Sequence, residues 1–204
     1  MDRILRLKHW QLFLLVIAGP VSVPLLTFLL YVMGEAGFPG LLFVMVFALL
    51  ISHCSLLCWF YQTGMVLSRY VPANVSLPVR RFQGRVLYAV IYTTALAVWI
   101  MAGSLELIEQ RLNDPAPLLM VIIVPLHLFA MFCLLYGLYF NAKALKTVEE
   151  QRELSFSEFS GEFFLMWFFP IGIWIIQPRI NAIVEQPPAD PYSNMDIFQR
   201  ETPY

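Results

Sequence analysis

The chain has 204 residues, with thirteen Lys/Arg against fourteen Asp/Glu and a formal net charge of −1. Hydrophobic residues make up 59%, charged residues 13%, and the mean hydropathy is +0.70. An ordinary soluble domain cannot hide that much apolar surface, a disordered chain needs the opposite bias, and a near-neutral charge gives nucleic acid nothing to bind. The composition points to an all-α integral membrane protein.

The first segment carries Arg3, Arg6 and Lys8 ahead of an uncharged run over residues 10–33. Basic residues before an apolar run resemble a signal peptide. This run exceeds an h-region of roughly 7–15 residues, and no small-x-small cleavage site closes it, so it reads as a retained signal-anchor helix. Three further runs without Asp, Glu, Lys or Arg cover residues 38–61, 86–105 and 117–140. Each reaches the roughly 20 residues a helical span needs. Lipid satisfies no backbone groups, so each should be a helix. The expectation is a four-transmembrane-helix bundle over residues 1–154.

The connections differ. Residues 34–37 form a very short turn, so the first two spans should make a tight antiparallel pair. The stretch 62–85 reads as a long loop carrying Arg69, Arg80, Arg81 and Arg85 and no acid. Arg80, Arg81 and Arg85 are candidates for anionic lipid head groups, each worth about 1 kcal/mol at the surface. Ordinary positive-inside signalling, which needs no ligand, is the plainer reading of them. The third connection holds only Arg111. Twelve basic residues thus fall on one side and one on the other, which puts both termini in the cytoplasm. The sequon Asn74-Val75-Ser76 would then lie on the side where it is not glycosylated.

Beyond residue 140 the chain turns polar but keeps helix formers, and Lys146 can pair with Glu150 at i,i+4. The fourth helix should therefore run past the membrane surface. Ser155-Phe156-Ser157-Glu158 fits a capping box and starts a new helix. Phe156, Phe159, Phe163 and Trp167 fall on one face, opposite Ser157, Glu158, Ser160 and Glu162. Residues 163–176 are wholly uncharged but too short for an ordinary span, and Pro170 interrupts them. With Trp174 and the closing Arg179, residues 155–185 read as an interfacial or re-entrant helix at the cytoplasmic leaflet, the alternative being a fifth span. Residues 186–204 hold four Pro and few aliphatics, and read as a disordered tail.

The segment Gly161-Glu162-Phe163-Phe164-Leu165-Met166-Trp167-Phe168-Phe169-Pro170-Ile171-Gly172-Ile173-Trp174-Ile175-Ile176-Gln177-Pro178-Arg179-Ile180-Asn181 resembles one near the C-terminus of small uncharacterised bacterial membrane proteins. That resemblance implies a bacterial inner-membrane protein. It implies no activity and no site residues.

No nucleophile elbow, P-loop, HExxH or dinucleotide fingerprint occurs. Only His53 and His127 are ionisable within the spans and not at their ends. As haem ligands they would sit about 7 Å apart in depth, at ~1.5 Å per residue. His53, Cys54, Cys58 and Cys133 are the alternative metal ligands, but His53 and Cys54 point about 100° apart on a helix. The plainer reading is a neutral His bonded between helices and cysteines acting as small hydrophobes. No cofactor is expected. Pro20 and Pro24 should bend the first helix, as in the broken helices of transporters. The favoured function is a non-catalytic accessory or scaffold. A small oligomeric transporter or channel is the alternative, and a haem or metal protein comes third. The expected partners are the lipid bilayer and another membrane protein or a second copy of the chain.

Overall fold

The long apolar runs become long helices. In the computed structural model the described residues are 4–33, 38–106 and 116–185. The turn at 34–37, the core of the third connection and the Pro-rich tail at 186–204 lie outside them. Among the described residues every regular element is helical. A 3-10 turn at Ile4–Arg6 precedes α1 (His9–Met33), α2 (Phe38–Leu67), α3 (Val79–Glu106), α4 (Ala116–Glu150), α5 (Phe156–Trp167) and α6 (Phe169–Val184).

Among the described residues three helical stretches are long and apolar enough to cross a membrane: His9–Leu29, Val46–Leu67 and Val121–Glu150. The pair α5–α6 counts as a fourth only if its two halves, bent by 119°, are taken as one span. The chain is a multi-pass membrane protein. α3 covers the third expected span with 28 residues, about 42 Å of helix. It is not among these three stretches of described residues, and Arg80, Arg81, Gln83 and Arg85 lie in its first turns. Three of its later polar side chains bond within the bundle. Tyr88 and Tyr92 donate to the Leu126 and Ile123 carbonyls of α4 at 3.4 and 3.1 Å, and Thr93 donates back to Ala89 at 2.8 Å. Those α4 carbonyls flank Pro125, where the helix ladder lacks a donor.

α1 packs on α2, α2 on α4, and α3 on α4, while α5 and α6 fold against α4 and α1. The core lies at the end of the bundle that holds the N-terminal turn. Leu5, Trp59, Leu67, Phe82, Leu145, Phe159 and Ile176 are buried there. Elsewhere large apolar side chains face outward, among them Phe28, Val98, Val121 and Ile122. Contiguous exposed apolar surface of this kind is what lipid covers.

One expectation needs correction. The loop expected over residues 62–85 contracts to residues 68–78, because α2 runs on to Leu67 and α3 begins at Val79, just after Pro78. Arg80, Arg81 and Arg85 are therefore helical. Helices do not stop where the apolar run stops, since their backbone bonds are internal. The interfacial or re-entrant helix expected over 155–185, with its interruption at Pro170, is a bent pair of helices that breaks at Phe168. Pro170 stands at the start of α6, where a missing N–H costs nothing.

Candidate functional site

The α5–α6 pair forms a V. Its open ends are polar and its tip is apolar. At the start of α5 the Glu158 carboxylate accepts from the Ser155 N–H at 2.8 Å and from the Ser155 hydroxyl at 2.8 Å. Arg152 adds a bond to Glu158 at 2.6 Å. The Ser155 N–H, followed by Arg152, pulls the Glu158 pKa down to about 2. At the tip Phe164, Trp167, Phe168, Ile171 and Ile175 point outward, with Ile171 69% exposed. The V can close because position 172 is glycine. A Cβ there would collide with the Leu165 carbonyl oxygen of α5. Five uncompensated apolar side chains on a tip, with charge only at the open ends, suit a hairpin that dips into one leaflet.

The aromatic row of α5 is tied inward. Phe159 is fully buried against Tyr139 of α4, ring centroids 5.2 Å apart. Phe156 and Phe163 lie 5.8 Å apart, and Phe163 and Trp167 5.9 Å apart. Phe156 and Trp167 keep nearly half their surface exposed. Trp174 leans on His9 at 4.8 Å and Phe13 at 5.5 Å, fastening α6 to the start of α1.

Arg179 is not a free interfacial cation. Its guanidinium forks onto Glu149, with Nε–Oε1 at 2.7 Å and Nη2–Oε2 at 2.5 Å, and also reaches Glu162 at 2.9 Å. It thereby joins α4, α5 and α6. Glu149, and then Glu162, hold Arg179 more firmly protonated than usual, against the opposing effect of burial. Lys146 pairs with Glu150 at 3.1 Å and stands 3.9 Å from Glu162.

Four polar residues hold the bundle together, and sequence reasoning gave Gln177, Asn181 and Asn141 no interhelical role. Gln177 is fully buried. Its oxygen accepts from the Trp59 indole at 2.7 Å, and its amide nitrogen faces the Leu5 and Leu7 carbonyls at 2.8 and 3.0 Å. Asn181 reaches the Leu7 carbonyl as well, at 3.2 Å. Asn141 of α4 donates to the Phe60 carbonyl of α2 at 2.9 Å. Ser52 of α2 sits between the Gly19 N–H at 3.0 Å and the Leu15 carbonyl at 3.1 Å, beside Pro20. A Cβ on Gly19 would collide with the Ser52 hydroxyl and stand 2.6 Å from the Ala48 carbonyl oxygen. Each could have been noticed as a lone amide or hydroxyl inside an apolar run, where a polar group needs an interhelical partner.

The ionisable candidates disperse. His53 is half-buried, and its Nε2 meets no partner among the described residues. His127 is exposed on α4, with its ring 6.0 Å from Tyr92. Cys54 and Cys58 are exposed, and Cys133 is buried. Among the described residues no three His, Cys, Asp or Glu side chains come together as a metal site. Arg80 and Arg81 are exposed, whereas Arg85 lies over the Tyr136 ring at 4.1 Å. Cys54 and Cys58 line a cleft of ≈ 210 Å³ between α2 and α3 with Leu57, Tyr61, Leu87, Val90 and Thr94.

Comparison with protein-family models, curated proteins and solved structures gives no match to this chain.

Proposed function

We propose that this chain is a non-catalytic accessory or scaffold protein of a bacterial inner membrane, with both termini in the cytoplasm. The observation that carries the reading is the use to which the buried polar groups are put. Gln177, Asn141 and Ser52 each bond across elements of the same bundle, and none presents a reactive atom to the α2–α3 cleft. The outward chemistry at the basic end is the apolar tip of α5–α6. Such a tip positions a protein in a leaflet and offers aromatic side chains to another membrane protein there. The bias of twelve basic residues to one supports the orientation, and the resemblance of residues 161–181 supports the bacterial assignment.

The test is comparative mass spectrometry of proteins that co-purify in mild detergent. The full chain is compared with a variant carrying Trp167→Ser, Phe168→Ser and Ile171→Ser, all exposed positions. A partner lost with the tip supports the reading, and an identical set of partners contradicts it. Ion or solute flux by reconstituted protein above that of empty vesicles would favour the transporter or channel reading that Pro20 and Pro24 motivate.

A further inference from the structure

On α3, Arg80, Gln83, Leu87, Val90 and Thr94 recur at i, i+3, i+7, i+10 and i+14, which places them in one row along the helix. The last three line the cleft against Cys54, Leu57, Cys58 and Tyr61 of α2. The same row therefore passes from an apolar cleft to an exposed arginine. Gln83 marks the change. Its amide nitrogen lies 3.3 Å from the Met65 sulfur and draws α3 onto α2 between the cleft and Arg80. Arg80 stands seven residues from Leu87, about 10 Å along the axis. Arg81 is next to it. Both are exposed, and neither has an acidic partner among the described residues. Arg85, the other basic residue of these turns, is already committed to Tyr136.

We infer that the α2–α3 cleft and the Arg80–Arg81 pair form one binding site for an anionic phospholipid. An acyl chain lies in the cleft, and the phosphate of the same lipid meets the two arginines. The cleft, at ≈ 210 Å³, exceeds the roughly 150 Å³ apolar cavity that accepts a benzene ring. Its walls are apolar apart from the Tyr61 and Thr94 hydroxyls, and it opens on a face where Leu87 is 54% exposed. Any lipid chain can fill such a cleft. The arginines add charge complementarity, and only a lipid whose head group carries net negative charge gains from both. Guanidinium groups suit phosphate because their donors match its oxygens in pairs. The site rests on the multi-pass reading and on the basic end facing the cytoplasm, but not on the scaffold role.

The experiment uses the purified full chain, stripped of lipid, in native mass spectrometry. The probes are a phosphatidylglycerol, a phosphatidylcholine with the same acyl chains, and glycerol phosphate without chains. The wild-type chain is expected to retain phosphatidylglycerol at least tenfold better than phosphatidylcholine and to retain no glycerol phosphate. Arg80→Gln with Arg81→Gln should reduce the preference to within twofold while chain binding persists. Cys58→Phe, which fills the cleft, should weaken both lipids, and Thr94→Phe repeats that test on the other wall should one variant fold poorly. Arg69→Gln removes another exposed charge, outside the row, and should leave the preference unchanged. An equal loss with Arg69→Gln, an unaltered preference in the Arg80/Arg81 variant, or retention of glycerol phosphate would overturn the site. Partner loss through the α5–α6 tip is read separately, so the two proposals fail independently.

Discussion

The Trp59 indole N–H donates to the Gln177 side-chain oxygen at 2.7 Å, joining residues 118 positions apart. This bond fixes the last helix to the second. Through the Gln177 amide nitrogen it also fixes the N-terminal turn, whose Leu5 carbonyl it reaches at 2.8 Å and whose Leu7 carbonyl it shares with Asn181.

Gln177→Leu should therefore cost more than the loss of one average bond. It orphans the Trp59 N–H and weakens satisfaction of two carbonyls, at about 1–3 kcal/mol for each group left unpaired in the interior. Unfolding in mixed micelles should show a loss of about 3 kcal/mol. Limited proteolysis should begin at residues 4–8. A change below roughly 0.5 kcal/mol, the range of ordinary surface substitutions, would show that the staple is not structural.

Gly19→Ala should separate α1 from α2. The added Cβ meets the Ser52 hydroxyl and the Ala48 backbone, and overpacking of this kind costs about 1–3 kcal/mol. Adding Ser52→Ala should rescue only part of the loss, because the Ala48 carbonyl remains 2.6 Å from the Cβ position. Thermal unfolding of the two single variants and the double variant measures the coupling. Strict additivity would contradict the contact.

Much of this architecture was legible in the sequence, and the limits have physical causes. The spans were legible because bilayer thickness forces about 20 uncharged residues into each helix. The Glu158 half of the capping box and the Lys146–Glu150 pair were legible because both are local. Gln177 directly follows the uncharged run 163–176, and no pattern reveals that Trp59 waits 118 positions away. An interruption was expected at Pro170, but the direction of the bend depends on Gly172 meeting Leu165, a tertiary contact. Arg80, Arg81 and Arg85 were assigned to a loop because hydropathy ends at the first charge, whereas helical hydrogen bonding does not. Arg179 was read as an interfacial stop because Glu149 and Glu162, its partners on two other helices, are not near it in sequence.

Arg179→Gln should leave the buried Glu162 with only Lys146 at 3.9 Å. Removing one partner of a fully buried pair costs about 3–5 kcal/mol, and partial exposure should reduce this to about 2 kcal/mol. Arg179→Lys should recover little, because an ammonium cannot reproduce the fork onto Glu149. Chemical unfolding of both variants at low salt tests this. Full recovery by lysine would show that charge alone suffices.

Acid should loosen the start of α5. The Glu158 pKa lies at about 2 in the fold, below its ordinary value of 4.5. Folding thus favours the ionised carboxylate. Its contribution is complete above about pH 4.5 and declines as the pH falls toward 2. Amide exchange at 155–158, corrected for the intrinsic rate at each pH, should lose protection across that window. Glu158→Gln should lack the pH-dependent step. A step of equal size in that variant would assign it to another group.

The placement of α5–α6 in the cytoplasmic leaflet is the central claim, and single-cysteine accessibility tests it most directly. In a background with Cys54, Cys58 and Cys133 replaced by serine, cysteines are placed singly at Ser157, Phe168 and Ala182. All three positions are exposed on the protein itself. A membrane-impermeant thiol reagent should label positions 157 and 182 from the cytoplasmic side only, and position 168 from neither. Labelling of position 182 from the outer side would make α5–α6 a full span. Ready labelling of position 168 from the cytoplasm would place the tip in water. Either result contradicts the account.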